Sequence, residues 1–187
     1  MVKKIRTSVF ISGNGTNLLS IIKNSRDYNF PITVKLIISN NKNAYGLKYA
    51  KRYGINYKYF SSKDQEKFER NTLIEIKKNR IELVCLAGFM KILSKNFLIN
   101  FKKKIINIHP SLLPKFKGLN TYKRVLDNEE IYSGCAVHHV NSKLDAGNVV
   151  LKKKVLIDKN ETQESLKKRI LSQEHKLYSE AIRLIFK

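Results

Sequence analysis

Ser8-Val9-Phe10-Ile11-Ser12-Gly13-Asn14-Gly15-Thr16-Asn17-Leu18-Leu19-Ser20-Ile21-Ile22 is the stretch that decides the fold. Residues 8–12 are rich in β-branched and aromatic side chains and read as a strand. Two glycines then interrupt the chain. Leu18, Leu19, Ile21 and Ile22 follow at helical spacing, on a helix opened by Thr16. A strand, a tight turn and a helix in succession make a βα unit, and such units build parallel sheets.

The alternation continues downstream. Residues 33–39 (TVKLIIS) form a second strand, and residues 44–53 a helix that Gly54 stops from a C-cap position. Residues 56–60 make a short third strand. Ser62 and Gln65 have the spacing of a capping box before a helix that carries Phe68 and Ile76. Residues 83–87 (LVCLA) are an unbroken apolar run, as in a strand covered on both faces. Residues 105–108 add another strand, and residues 133–140 and 149–157 pair around a loop at 141–148. A long helix closes the chain from Thr162 to Phe186, with Leu166, Ile170, Leu177, Ile182 and Ile185 on one face. There is no repeat, low-complexity tract or Pro/Gly-rich linker. The pattern predicts one α/β domain over residues 1–187, a mostly parallel twisted sheet flanked by helices with an antiparallel C-terminal portion.

Composition excludes more than it assigns. The net charge is +22, from 37 Lys and Arg against 15 Asp and Glu. That raises a nucleic-acid reading, but the excess is mostly lysine spread along the whole chain rather than gathered in a stripe. Asn, Ile, Lys, Tyr and Phe are abundant and Trp is absent, the signature of AT-rich codons. Compositional drift therefore accounts for the charge; a general pull on anionic ligands is its remaining consequence, and no nucleic-acid partner is expected. No apolar run approaches the roughly 20 residues that cross a bilayer, and the basic start at residues 1–6 meets Gly13 too soon for a secretory signal. A cytoplasmic protein without a membrane partner is the expectation. Cys85 and Cys135 read as two buried thiols, and a chain this long needs no disulfide or metal staple.

Gly13-Asn14-Gly15-Thr16-Asn17 lies between strand and helix, where free N–H groups and the helix dipole attract phosphate. A dinucleotide loop wants a third glycine where Leu18 stands, and an acidic residue where Ser39, Asn40 and Asn41 stand. No Gly-Lys-Ser/Thr triplet follows, so a triphosphate loop is excluded too. A monophosphate held at Gly15, Thr16 and Asn17 and a plain structural turn both remain open.

The second constellation is Asn107-Ile108-His109-Pro110-Ser111-Leu112-Leu113-Pro114. Asn107 and His109 are two apart on a strand and project to one face, at the end of a parallel strand where open α/β sheets bind ligands. An amide can hold a developing oxyanion while an imidazole moves a proton; a satisfied structural histidine is the alternative. Ser111 lacks the flanking glycines of a nucleophile elbow. Asp145, in Leu144-Asp145-Ala146-Gly147, would raise the pKa of His109 if brought beside it, or else is a turn residue before glycine. His138 and His139 point to opposite faces of a strand and make a poor metal pair; no metal site is expected.

Together these segments resemble the folate-dependent formyltransferases. The resemblance rests on FISGNGTNL (10–18), LAGFMKIL (86–93), INIHPSLLPKFKG (106–118), HHVNSKLDAGNVV (138–150) and SQEHKLY (172–178). It covers essentially the whole chain in order and spacing. The first glycine loop narrows it to the branch that formylates glycinamide ribonucleotide in purine synthesis. It implies a Rossmann-like formyltransferase fold and a direct attack of the ribonucleotide amine on the formyl group of 10-formyltetrahydrofolate, without a covalent enzyme intermediate. It implies that Asn107, His109 and Asp145 are catalytic. Gly15, Thr16 and Asn17 would hold the phosphate, and Leu171, Ser172, Gln173 and Glu174 would touch the ribonucleotide. Met90, Lys91, Ile92, Leu93, Asn141, Ser142, Lys143, Leu144 and Asp145, with Asn107, would line the folate site, and Gln65 would meet the folate tail. Residues 1–100 would then serve mainly the phosphate, and residues 101–187 catalysis and folate. A monomer or a homodimer is compatible with this reading.

The chain departs from the pattern at three places. Lys91 stands where many relatives have arginine, and keeps the charge but not the planar fork. Gln65 stands where the family often has a basic residue, with Lys63 and Lys67 nearby. Asn120 replaces a histidine of some relatives. The formyltransferases of initiator methionyl-tRNA are similar around residues 109–114, but they carry a further barrel domain for which 187 residues leave no room. A nucleic-acid-binding module with an inactive core is the other alternative.

Overall fold

The computed structural model describes residues 3–187. Its first strand, β1 (Ile5–Ile11), is followed by α1 (Thr16–Ser25), β2 (Ile32–Ser39), α2 (Leu47–Arg52), β3 (Asn56–Tyr59), α3 (Gln65–Lys78), β4 (Leu83–Leu86), α4 (Lys95–Phe101), β5 (Lys104–His109), α5 (Thr121–Asp127), β6 (Tyr132–His139), β7 (Val149–Leu156) and α6 (Gln163–Ile185). One seven-stranded sheet runs in the order β3-β2-β1-β4-β5-β6-β7. The five strands from β3 to β5 are parallel, and β6 and β7 join antiparallel. This is the mixed sheet that the sequence pattern predicts.

Alternation along the strands divides the core in two. Val9 and Ile11 face one layer with α1 and α6, where Leu18, Ile22, Leu166, Ile170 and Ile182 are buried. Phe10 faces the other, with Phe68 and Ile76 of α3 and Phe97 and Phe101 of α4. Tyr178 of α6 is fully buried, and its hydroxyl reaches the carbonyls of Leu86 (2.9 Å) and Ile106 (3.1 Å). It thereby ties α6 to the end of β4 and the middle of β5. Cys85 and Cys135 are buried free thiols, and burial pushes both up to about 12, so neither is a ready nucleophile. No helix among the described residues is long and apolar enough to cross a membrane.

Four local readings are corrected. The second helix begins at Leu47 rather than at 44, because the Gly46 N–H is taken by the Gly13 carbonyl at 3.0 Å. The capping box of Ser62 and Gln65 does not form: Asp64 is the N-cap, and its carboxylate accepts from the Lys67 amide at 2.9 Å. Helices α4 and α5 were not foreseen; at seven residues each they show no sustained period. The closing helix is as predicted, with Thr162 as N-cap.

Candidate active site

Strand order reverses between β1 and β4, the point where open α/β sheets leave a crevice beyond the carboxyl ends of their strands. β1 delivers Gly13–Asn17 there, β4 delivers the segment 87–93, and β5 ends at His109. The antiparallel strand β6 adds a partner from the side, since Asn107 lies opposite His138 in the register.

The glycine loop is held by backbone. Gly15 caps α1 in the left-handed region (φ 71) and offers no side-chain bond, which leaves the first N–H groups of the helix for a ligand. A Cβ on Gly15 would come 2.7 Å from the Gly46 Cα. The two glycines are therefore in direct contact, and bulk at Gly15 displaces the loop as well as filling the anion's space. Asn40 and Asn41, standing where a ribose-binding acid was absent, brace the loop: Ser12 donates to Asn40 Oδ1 at 2.7 Å and Asn41 Nδ2 to the Ser12 carbonyl at 3.1 Å.

Asn17 donates its amide to Glu174 Oε2 at 2.7 Å, and both side chains are buried. Burial pushes the Glu174 carboxyl up to about 7 against that hydrogen bond. Asn17 Oδ1 and His175 Nε2 have no hydrogen-bond partner among the described residues. Of the four α6 residues expected at the ribonucleotide, only Glu174 meets Asn17. Ser172 and Gln173 border a separate open groove with Lys153 and Arg169.

The second half of the site is a network of side chains. The His109 imidazole is buried, with Nε2 2.9 Å from the Phe116 carbonyl and Nδ1 3.3 Å from Asp145 Oδ2. A carbonyl only accepts, so Nε2 carries a proton; the ionised Asp145 carboxylate also only accepts, so in the neutral imidazole the Nδ1 lone pair faces it unbonded, and that contact becomes a hydrogen bond only when Nδ1 takes a proton. Phe116 (φ 55) and Asp145 (φ 45) both sit in the left-handed region, an uncommon backbone for non-glycine residues that clusters at functional sites. Asp145 Oδ2 also accepts the Gly118 amide at 2.9 Å. On the other side, His138 Nδ1 lies 2.8 Å from the His139 carbonyl, which fixes its proton there. Its Nε2 then accepts from Asn107 Nδ2 at 3.1 Å and lies 3.6 Å from Asp145 Oδ1.

The pKa of His109 needs correcting. Asp145 does stand beside it and pulls its pKa up, as does the Phe116 carbonyl, yet burial outweighs both and leaves the imidazole below its ordinary value. Asp145 shows the opposite balance. Burial works against its charge, but a hydrogen bond from His138 in its protonated form, the Gly118 amide and the charge of protonated His109 prevail, and its carboxyl lies below the usual range. At neutral pH the arrangement is a neutral imidazole beside an ionised carboxylate, with two acceptors already aimed at the imidazolium that a proton transfer would create.

Asn107, His138 and Asp145 open on a cleft whose wall is Leu86, Phe89, Val140, Asn141 and the segments 91–93 and 143–145. Of the residues expected at the folate, Lys91, Ile92, Leu93, Asn107, Asn141, Lys143, Leu144 and Asp145 line this cleft, while Gln65, Met90 and Ser142 do not. The Gln65 amide is instead engaged by Glu69 Oε1 and the Ile92 carbonyl, each at 3.1 Å. His138 belongs to the site although its sequence neighbour His139 suggests only a metal pair; its cross-strand place opposite Asn107 is the signal that finds it. Among the described residues, no group of three or more His, Cys, Asp or Glu is arranged to hold a metal ion.

Residues 5–182 match the family described as formyl transferase. The chain belongs to the formyl transferase family. Within that family it is similar to phosphoribosylglycinamide formyltransferase of Haemophilus influenzae, at 40% identity over 183 residues, 95% of this chain and 84% of the relative. It is 37% identical to the human trifunctional purine biosynthetic protein adenosine-3 over 188 residues, but spans only 18% of that protein's length. Among formyl transferase structures, glycinamide ribonucleotide transformylase 1 from Geobacillus kaustophilus superposes with a TM-score of 0.94, at 32% identity, over 99% of this chain and all of the other. That similarity also covers the parallel sheet with its antiparallel C-terminal strands.

Proposed function

We propose that the protein transfers the formyl group of 10-formyltetrahydrofolate to the amine of glycinamide ribonucleotide, giving formylglycinamide ribonucleotide and tetrahydrofolate in purine synthesis. The observation that carries this is the buried His109, with Nδ1 facing Asp145 and the Asn107 amide held on the same cleft. Acyl transfer to an amine needs a group to take the amine proton and a donor where negative charge gathers on the formyl oxygen.

In this reading the amine lone pair attacks the formyl carbon, the bond from that carbon to the folate nitrogen breaks, and the proton the amine loses is carried by His109 to that leaving nitrogen, which restores the neutral imidazole. His109 Nδ1 receives the amine proton. Asp145 and the Phe116 carbonyl hold the imidazolium. Asn107 donates to the oxyanion, and His138 keeps its amide turned. Folate lies along residues 91–93 and 141–145, where Lys91, Leu144 and exposed backbone meet it. The unsatisfied Asn17 Oδ1, the raised Glu174 carboxyl and the uncapped start of α1 support a phosphate and sugar at the other end. Residues 1–100 thus serve mainly the phosphate, and residues 101–187 catalysis and folate. The setting is cytoplasmic, and the protein works as a monomer or homodimer.

The test is an absorbance assay of folate deformylation by the purified protein, with and without glycinamide ribonucleotide. Turnover that requires the ribonucleotide is expected. A folded protein without such turnover overturns the proposal. Nucleic-acid binding that weakens steeply and linearly in log salt would instead favour a polyanion partner.

A further inference from the structure

Glu69 of α3 is a buried carboxylate, 6% exposed, that takes no part in the chemistry above. A buried charge is costly unless its oxygens are hydrogen-bonded. Among the described residues no Lys, Arg or His stands within ion-pair distance of it. Three neutral donors satisfy it: the Ser94 amide at 2.7 Å, the Ser94 hydroxyl at 2.5 Å and the Gln65 amide at 3.1 Å. Each donor belongs to the wall of the folate cleft or reaches it. Ser94 is the N-cap of α4 and directly follows Leu93. Gln65 gives its second N–H to the Ile92 carbonyl at 3.1 Å. The wall itself needs such anchoring, since Ile92 is 57% exposed and Met90, just before the wall, 63%. Its other tie is the Met90 amide on the Ser12 hydroxyl, at 2.8 Å.

We propose that Glu69 is a positioning residue for the folate site: through Ser94 and the arm of Gln65 it fixes the backbone of residues 91–93 against the cleft. Gln65 then serves the folate indirectly, both of its N–H groups being spent on this strap. The inference rests on the reading of the cleft as the folate site. Glu69 touches neither substrate, so its loss acts on one substrate only.

The experiment measures kcat and both KM values for Glu69→Ala, Glu69→Gln and Gln65→Ala, together with amide hydrogen exchange over residues 90–97. Glu69→Ala is expected to raise KM for formylfolate about tenfold or more, the scale of one lost hydrogen bond to a charged group. KM for the ribonucleotide should stay within about twofold. Glu69→Gln, which keeps an acceptor for the Ser94 amide, should recover most of that loss. Gln65→Ala, at the surface and safe for folding, should show a smaller rise of the same kind. Exchange should quicken at Ser94 and Phe97 but not at the start of α1. An unchanged folate KM with unchanged exchange overturns the proposal, as does an equal rise in both KM values. Should the wild type lack turnover, the functional reading fails, while the exchange data still decide whether Glu69 holds this segment.

Discussion

The two ends of the cleft hold their groups by different means. At the phosphate end the frame is backbone: parallel strand ends, a left-handed Gly15 packed on Gly46, and one buried side-chain pair, Asn17 and Glu174. At the catalytic and folate end the frame is a chain of side-chain contacts, from Asn107 and His138 on the paired strands β5 and β6 through Asp145 on the loop after β6 to His109. Backbone packing fixes a position by excluding every alternative, and side-chain networks fix it by mutual satisfaction. The phosphate end should therefore tolerate no bulk, while the catalytic end should tolerate change in shape but respond as a unit to change in charge.

The largest expected effect is in the network. His109→Ala should lower single-turnover formyl transfer by about 10²–10⁴-fold, the range of a lost general acid–base group. Ribonucleotide affinity, measured by titration calorimetry, should barely move. Near-normal turnover would remove His109 from the mechanism and dissolve the contrast.

Gly15→Val probes the other end. Its Cβ would meet Gly46 at 2.7 Å on a backbone with φ 71, so the loop must shift. Ribonucleotide binding should weaken by roughly 10–100-fold, the value of one to two charge-assisted hydrogen bonds. Formylfolate binding should change little. An equal loss of both in a folded protein would mean that the two ends are one rigid body.

A smaller effect sharpens the comparison in pH. Glu174 titrates near 7 when folded, against an ordinary 4.5. A carboxyl raised by folding binds its proton more tightly in the folded state, so stability is full below about 4.5, falls as pH rises to about 7, and is level beyond. Glu174→Gln removes this titration. In urea unfolding the variant should be more stable than wild type by on the order of 3 kcal/mol at pH 8, and similar to it near pH 4.5. Its ribonucleotide affinity should fall. If the difference between the proteins does not depend on pH, Glu174 is ionised in the fold and the phosphate end is not built as described.

The fold was legible because βα units repeat their two periods along the chain, and residues 8–22 already contain one. What escaped were pieces too short to have a period, α4 and α5, and a cap displaced by two residues to Asp64. At the site, Asn107 and His109 could be read from their spacing on one strand. Asp145 came only through the family resemblance, since no spacing links it to His109. His138 and Glu69 were out of reach for a related reason: each acts through a tertiary neighbour, His138 across the β5–β6 register and Glu69 across α3 to α4. The net shift of His109 was not legible, because burial, which a sequence does not display, outweighs the rise that Asp145 supplies as expected.

The most direct test of the catalytic unit is single-turnover formyl transfer across pH for wild type, His109→Ala, Asp145→Asn and the double variant. If Asp145 only orients His109 and supports its charge, Asp145→Asn lowers the rate and moves the remaining pH profile to lower pH, because the imidazolium loses a partner. The double variant should then be barely worse than His109→Ala, since residues acting as one unit do not add. Losses that simply multiply, with no shift in the profile, would contradict the His109–Asp145 unit and require another group to move the proton.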